Sequence, residues 1–325
     1  MADSAVRESD ALPGASGKKG LTGTRVLVRG DLRWVPVFLD ELPELGIEAV
    51  PYRPVKRALL RLNPAPAVEL VRSRILHQLF VTLRSGLLFR WARRFNTRVV
   101  AHWIGTDVLR LREHLEQHRT PPPYLLESVD AHLADSPVLQ AELTEMGITA
   151  AVNRVLPRRV EAEVLPLPDK PAVLSYWPDV RAAFYRIDIV KDLARRFADL
   201  TFYIAGAVGG GVTDAPANMV FLGEVADMEA LYRKVTALIR IVEHDSLSAM
   251  VLEALARGRY VLYSEPFPHT FQVANVEEAA ACLETVRKAS APNRDGAAYV
   301  GAHFSWRKEV TKLRDIYRRL LEQRR

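Results

Sequence analysis

The sequence predicts an α/β protein of two doubly wound, Rossmann-like domains facing across a cleft. Three observations predict it. The chain has 325 residues, more than one ordinary core holds and enough for two domains of about 150 residues each. Strand and helix patterns alternate with short joins in both halves, the grammar of parallel sheets. Between the halves, residues 156–171 carry Pro157, Pro166, Pro168 and Pro171 among mixed charges. The expected organisation is a flexible tail over 1–20, a first domain over 21–160, a linker over 161–171, a second domain over 172–305 and a C-terminal helix over 306–325.

The first domain opens with Arg25-Val26-Leu27-Val28-Arg29, a β-type run ending at Gly30-Asp31. A helical pattern through Val37, Leu39 and Leu42 stops at Gly46, and Ile47 to Tyr52 reads as the next strand. Val99 to Trp103 and Ala131 to Ala134 follow as strands. Asp135-Ser136-Pro137 then supplies capping residues and a first-turn proline for a helix ending at Met146-Gly147. In the second domain, strands are expected at 172–176, 201–205, 220–222, 237–242 and 260–263, with helices at 187–197, 228–234 and 248–257. Ligands of such sheets sit beyond the carboxyl ends of the strands.

Forty-five Lys and Arg against 39 Asp and Glu give a formal charge of +6, which suits an anionic partner. Eleven of the basic residues fall in 53–98, against the single acid Glu69. They are interleaved with Leu59, Leu76, Leu79, Leu87, Phe89 and Trp91, the pattern of a basic amphipathic helix facing an anionic membrane surface. A domain helix with solvated arginines has the same pattern, and no nucleic-acid-binding motif accompanies the charge. Cys282 is the only cysteine, which excludes a disulfide framework and fits a reducing, cytoplasmic setting. The first twenty residues lack the apolar core of a secretory signal, and no window reaches the length of a membrane span.

The run Glu243-His244-Asp245-Ser246-Leu247-Ser248 leaves a strand, crosses a polar turn and enters a helix that carries Glu253. Free N–H groups at such a helix start receive an anion or sugar hydroxyls. A plain capped helix with Glu253 on its outer face has the same spacing. Gly206 to Gly211 holds four glycines after a strand, but no helix follows directly, so it is a loop and not a dinucleotide fingerprint. His114 and His118 stand four apart on a helical stretch without a third metal ligand, the pattern of an exposed helix.

The run from Asp245 through Glu253-Ala254-Leu255-Ala256, Gly258 and Tyr260-Val261-Leu262 resembles the acidic-x7-acidic element of retaining glycosyltransferases of the GT-B fold, family 4. Asp245 stands where that family has glutamate, and Ser246 and Ser248 stand where it has glycine. The resemblance implies sugar hydroxyls on Asp245, the donor held along Ser246, Leu247 and Ser248, and the ribose on Glu253. Asn218 to Val225 is similar to the family's base-binding element and implies base contacts from Glu224 and Val225. Ala101-His102-Trp103-Ile104-Gly105-Thr106-Asp107 resembles its histidine segment, stretched by two residues; His102 would touch the sugar while Gly105-Thr106-Asp107 holds the turn. Gly30 corresponds to a turn near phosphate or acceptor. Arg181 and Arg186 stand in for the family's arginine and lysine on the diphosphate, the usual Lys-Gly pair being absent. The helix after Phe304-Ser305-Trp306 would pack back on the first domain.

The activity so implied is transfer of a sugar, with retention, from a UDP- or GDP-linked donor to a glycan or lipid-linked acceptor. It implies no metal and no cofactor beyond the donor, and the inner membrane face as a peripheral contact. A catalytically silent nucleotide-binding subunit and a nucleotide-sugar epimerase are the alternatives.

Overall fold

The computed structural model describes residues 21–323, apart from 31–33, 53–64, 157–159, 161, 210, 211 and 213. The expected tail, Asp31, Leu59, the basic residues from Arg53 to Arg61, Pro157, Gly210 and Gly211 lie outside the described residues. Two compact units make up the chain: residues 1–102, 122–132 and 310–325, and residues 103–121 and 133–309.

The first sheet is built by β1 (Thr24–Arg29), α1 (Val35–Glu41), β2 (Ile47–Pro51), α2 (Ala65–Arg72), β3 (Ile75–Leu79), α3 (Gly86–Arg94) and β4 (Arg98–Trp103). It continues through α4 (Thr106–His118), α5 (Pro123–Glu127), β5 (Ala131–Ala134), α6 (Pro137–Glu145) and β6 (Ala150–Val152). Its strand order is β2-β1-β3-β4-β5-β6, and β1 pairs in parallel with both β2 and β3. Every residue of β3 and β4 is buried, as expected for central strands covered on both faces. The chain ends α1 in a short 3-10 turn, Leu42–Leu45, and Gly46 adopts the left-handed conformation that stops it.

Residues 53–98 require a correction. Among those described, the expected basic amphipathic helix is two short helices, α2 and α3, separated by the buried strand β3. Leu76 and Leu79 are core residues of that strand, with no solvent exposure. The polar pair His77-Gln78 interrupts its apolar run, so the arginines on either side dominate the sequence pattern.

The second sheet follows from β7 (Ala172–Tyr176), α7 (Ile187–Arg196), β8 (Thr201–Ala205), β9 (Met219–Gly223), α8 (Met228–Tyr232), β10 (Ala237–Arg240), α9 (Ala249–Ala256), β11 (Tyr260–Tyr263) and β12 (Phe271–Gln272). α10 (Val276–Val286), α11 (Arg294–His303) and α12 (Trp306–Glu322) complete the chain. The order is β12-β11-β10-β7-β8-β9, with parallel pairings throughout. One core face packs Val173, Phe202, Ile204, Ile239 and Leu262 against α7 and α10. The other packs Leu174, Leu238, Val261 and Val251 with Phe304. Buried Arg259 donates to the backbone carbonyls of Pro166, Val235 and Leu165, tying the proline-rich segment to this half.

The order of each sheet fixes where a ligand belongs. In the second, the chain runs outward from β7 through β8 and β9, then returns to place β10 and β11 on the opposite side. The carboxyl ends of β7 and β10 are therefore the switch point of this sheet, the place where ligands of such folds bind. In the first sheet the same reversal falls between β1 and β3.

Candidate functional site

The switch point of the second sheet gathers two segments far apart in sequence. After β7, two 3-10 turns, Asp179–Arg181 and Ala183–Tyr185, carry the chain to α7. After β10, residues 241–248 lead into α9. The Glu243 N–H donates to the Phe184 carbonyl at 3.0 Å, and the Arg240 guanidinium lies 5.4 Å from the centre of the Tyr185 ring. Arg186 takes a left-handed backbone, φ 46°, and forks onto Asp188 at 3.1–3.2 Å. That bond, with the more distant Glu243, raises its pKa against the opposing effect of burial. Arg181 is exposed and lies 4.2 Å above the Phe184 ring.

Asp245 does not stand free. Its carboxylate accepts from Arg240 Nε at 2.7 Å, both side chains being largely buried, and from its neighbour's N–H on Ser246 at 3.1 Å. Burial opposes the charge on Arg240, but Asp245 more than offsets it and leaves the guanidinium more basic than usual. Ser246 Oγ lies 3.3 Å from Asp135 Oδ2 and 3.4 Å from Ser136 Oγ. Ser136 caps α6 through the Leu139 N–H, with Pro137 at the first turn. Asp135 instead accepts the Val155 N–H at 2.6 Å. Burial pushes the Asp135 carboxyl up to about 8, against the hydrogen bonds from Val155 and Ser246 and with help from nearby Asp107. At neutral pH it is a protonated acid beside the Ser246 hydroxyl. One residue earlier in the loop, His244 Nε2 meets Glu142 of α6 at 3.1 Å, and Arg112 meets the same carboxylate at 3.0 Å.

Ser248 is buried at the start of α9 and makes no side-chain cap, so its hydroxyl does not occupy the helix N–H groups. Leu247 packs on the core beneath. Glu253, five residues along, is half-buried and accepts the Tyr232 hydroxyl of α8 at 2.9 Å. Burial raises its pKa, opposed by the Tyr232 bond and the Arg257 charge. Asp245 and Glu253 thus have separate partners, one on β10 and the other on α8.

Gly223 ends β9 with φ 61°, and reciprocal bonds join Gly206 N–H to the Gly223 carbonyl at 2.7 Å and Gly223 N–H to the Ala207 carbonyl at 2.8 Å. Glu224 beyond it is exposed and Val225 packs on the core. No hydrogen bond among the described residues engages either backbone N–H.

His102 belongs to the first unit and is fully buried. Its Nδ1 is 3.1 Å from His77 Nε2, and His77 Nδ1 is 2.5 Å from the Tyr317 hydroxyl of α12. Among the described residues His77 is the sole partner of the Tyr317 hydroxyl. A buried O–H keeps a partner, so it donates to His77 Nδ1. His77 must then donate from Nε2 to His102 Nδ1, which leaves the His102 proton on Nε2. Burial and the neighbouring His102 both hold His77 well below the usual histidine range, so it stays neutral. His102, expected to touch the sugar, has no solvent-exposed surface in this structure. Gly105-Thr106-Asp107 does hold a turn: the fully buried Asp107 carboxylate accepts the N–H groups of Ile104 and Gly105, at 3.1 and 2.8 Å.

Gly30 is exposed at the end of β1 with φ 153°, and a Cβ there would come 2.1 Å from the Leu79 carbonyl oxygen. His114 and His118 stack on each other at 4.1 Å on α4, and the described residues contain no group of three metal ligands. Arg240, Asp135, Glu142 and His244 were not singled out as site residues from sequence. The only signal for Arg240 was a charge closing an apolar strand; for Asp135 it was the Asp-Ser-Pro cap.

No family model and no curated protein matches the chain. Solved structures do. Anabaena HepE, in complex with UDP and glucose, superposes with a TM-score of 0.67 at 13% identity, over 89% of this chain and 98% of that one. A glycosyltransferase from Rickettsia africae gives 0.66 at 13% identity, over 93% and 100%. Sucrose-phosphate synthase from Thermosynechococcus elongatus gives 0.65 at 13%, over 91% and 99%. The chain has the fold these proteins share, the GT-B fold of two Rossmann-like α/β domains.

Proposed function

We propose that the chain is a glycosyltransferase that takes a sugar from a nucleotide-diphosphate donor bound at the carboxyl edge of the second sheet. The observation that supports this best is the meeting of the end of β10 and the loop that leads into α9 with the arginine-bearing segment after β7, at a sheet reversal where ligands bind. Glu253 takes the ribose, the Glu224-Val225 backbone takes the base, and the open start of α9 at Ser248 takes phosphate or sugar oxygens. Arg186 and Arg181 stabilise the negative charge that grows on the departing diphosphate. The donor is UDP- or GDP-linked, the transfer proceeds with retention as in family 4, and neither metal nor further cofactor is needed. Asp245 positions the loop through Arg240 and reaches sugar hydroxyls only if that pair opens.

The acceptor is a glycan or a lipid-linked glycan, the latter met at an anionic membrane surface. Leu87, Trp91 and Phe95 recur at helical spacing on and just beyond α3 and remain 48, 40 and 45% exposed. Arg72, Arg90 and Arg94 are exposed nearby in sequence and have no ion pair among the described residues. Exposed apolar side chains beside unpaired arginines favour an interfacial role.

The Arg240–Asp245 pair favours one second reading, a nucleotide-binding subunit without turnover. Thermal unfolding with UDP and GDP tests the donor site. A nucleotide at ten times its Kd adds about 1.4 kcal/mol of stability, seen as a rise in Tm that Glu253→Ala and Glu253→Gln abolish. Absence of any rise in the wild type overturns the reading. A rise without sugar release across an acceptor panel selects the silent subunit.

A further inference from the structure

We propose that Arg29, framed by Gln78, Ser85 and Tyr52, is a receptor for an oxyanion, carboxylate or phosphate, carried by the acceptor. The inference rests on the transfer reading only in making the acceptor the bearer of the charge; the receptor itself belongs to the first unit.

Arg29 closes β1 beside Gln78 of β3, where the first sheet reverses its order. Its NH1 donates to Gln78 Oε1 at 2.7 Å and to Ser85 Oγ at 2.9 Å, and the guanidinium lies 5.5 Å from the centre of the Tyr52 ring. The frame is itself fixed. Gln78 Nε2 donates to the carbonyls of Leu79 and Phe80, both at 3.0 Å, which turns its amide oxygen toward Arg29. Thr82 Oγ1 lies 2.9 Å from Ser85 Oγ. All these partners are neutral.

No carboxylate pairs with Arg29 among the described residues. Arg25 on the same strand pairs with Glu48 and Glu69, and Arg98 of β4 pairs with Asp130. Burial works against the Arg29 charge and lowers its pKa, with Tyr52 opposing. A desolvated, uncompensated charge is costly to keep. Here Nε and NH2 have no protein partner among the described residues, and that edge of a guanidinium matches two oxygens of a carboxylate or phosphate. The backbone around it is equally committed. Gly30 packs against Leu79 closely enough to forbid a Cβ, and Phe80 holds φ 60° at the end of β3, a conformation that bulky side chains avoid.

The test is side-chain NMR of the full chain, following the Arg29 Nε–H resonance, assigned by its loss in Arg29→Lys. Inorganic phosphate and methyl glucuronide are the two probes, methyl glucoside the neutral control and UDP the donor control. A saturating shift with phosphate or with the glucuronide, and none with the glucoside, is expected; which probe binds more tightly tells phosphate from carboxylate recognition. Arg29→Gln should weaken that probe by at least about tenfold, read from the broadening of its own signals, while Arg29→Lys retains part of the affinity. The rise in Tm with nucleotide should persist in both variants. The proposal is overturned if neither probe moves the resonance, if the glucoside moves it equally, or if UDP alone does so. In that last case Arg29 serves the donor diphosphate. Failure of the nucleotide test leaves the oxyanion result standing, so the two readings fail separately.

Discussion

With its carboxyl buried and its pKa pushed up to about 8, Asp135 takes up a proton on folding at neutral pH. Its folded pKa lies above the unfolded value near 3.8, so the folded state holds the extra proton between these limits. Stability is then fullest below about pH 4 as far as this group is concerned, and falls as pH rises toward 8. The slope for one group reaches about 1.4 kcal/mol per pH unit. His77 acts in the opposite sense: its folded pKa is lowered, so stability is lost as pH falls below 6.5. Urea midpoints of wild type and Asp135→Asn, compared from pH 5 to 7.5, isolate the first effect. The difference between the two proteins should shift with pH in favour of Asn; parallel curves would show that Asp135 is ionised in the folded chain. Such residues are hard to read from sequence. Asp135-Ser136-Pro137 announced a cap, and Ser136 is that cap, but the unusual acidity comes from burial that only the folded chain supplies. The same holds for Arg240, whose partner Asp245 was visible while the pair was not.

At the scale of elements, the ends of β1 and β3 form the least tolerant junction of the first unit. Gly30→Ala would force a Cβ into the Leu79 carbonyl at a φ unsuited to L-residues. A loss of at least about 2 kcal/mol in urea unfolding is expected, with the neighbouring Arg29 receptor distorted as well. Leu76→Ala in the same buried strand should cost about 2–5 kcal/mol. β1, β2, β5, β7, β8 and β11 were legible because apolar runs end in glycine, proline or a capping residue. β3 was not. Its five residues include His77 and Gln78, which earn their places by bonding Tyr317 and Arg29 rather than by hydrophobicity. A local pattern cannot show a polar side chain whose partner lies 240 residues away.

For the whole molecule, the repetition of strand and helix in both halves carried the α/β class, and the solved structures share that fold despite 13% identity. No helix of the described residues is long and apolar enough to cross a membrane. Right-handed crossovers set α2 and α3 on the same face of the first sheet, where α2 leaves Val68 and Val71 exposed, α3 leaves Leu87 and Trp91 exposed, and Phe95 follows just beyond. Sedimentation with phosphatidylglycerol vesicles should capture the protein, and phosphatidylcholine vesicles should not. Added salt and the pair Leu87→Glu, Trp91→Glu should each release it. Equal capture by both lipids would remove the electrostatic part of the argument.

Arg259 gives the proline-rich segment a mechanical character. A guanidinium that grips the carbonyls of Leu165 and Pro166 from inside the second unit makes that stretch a strap sewn into its surroundings. Dissecting the chain at residue 165 would therefore tear a seam, depriving a buried cation of two of its acceptors. A cut placed before Val160 would spare the stitching.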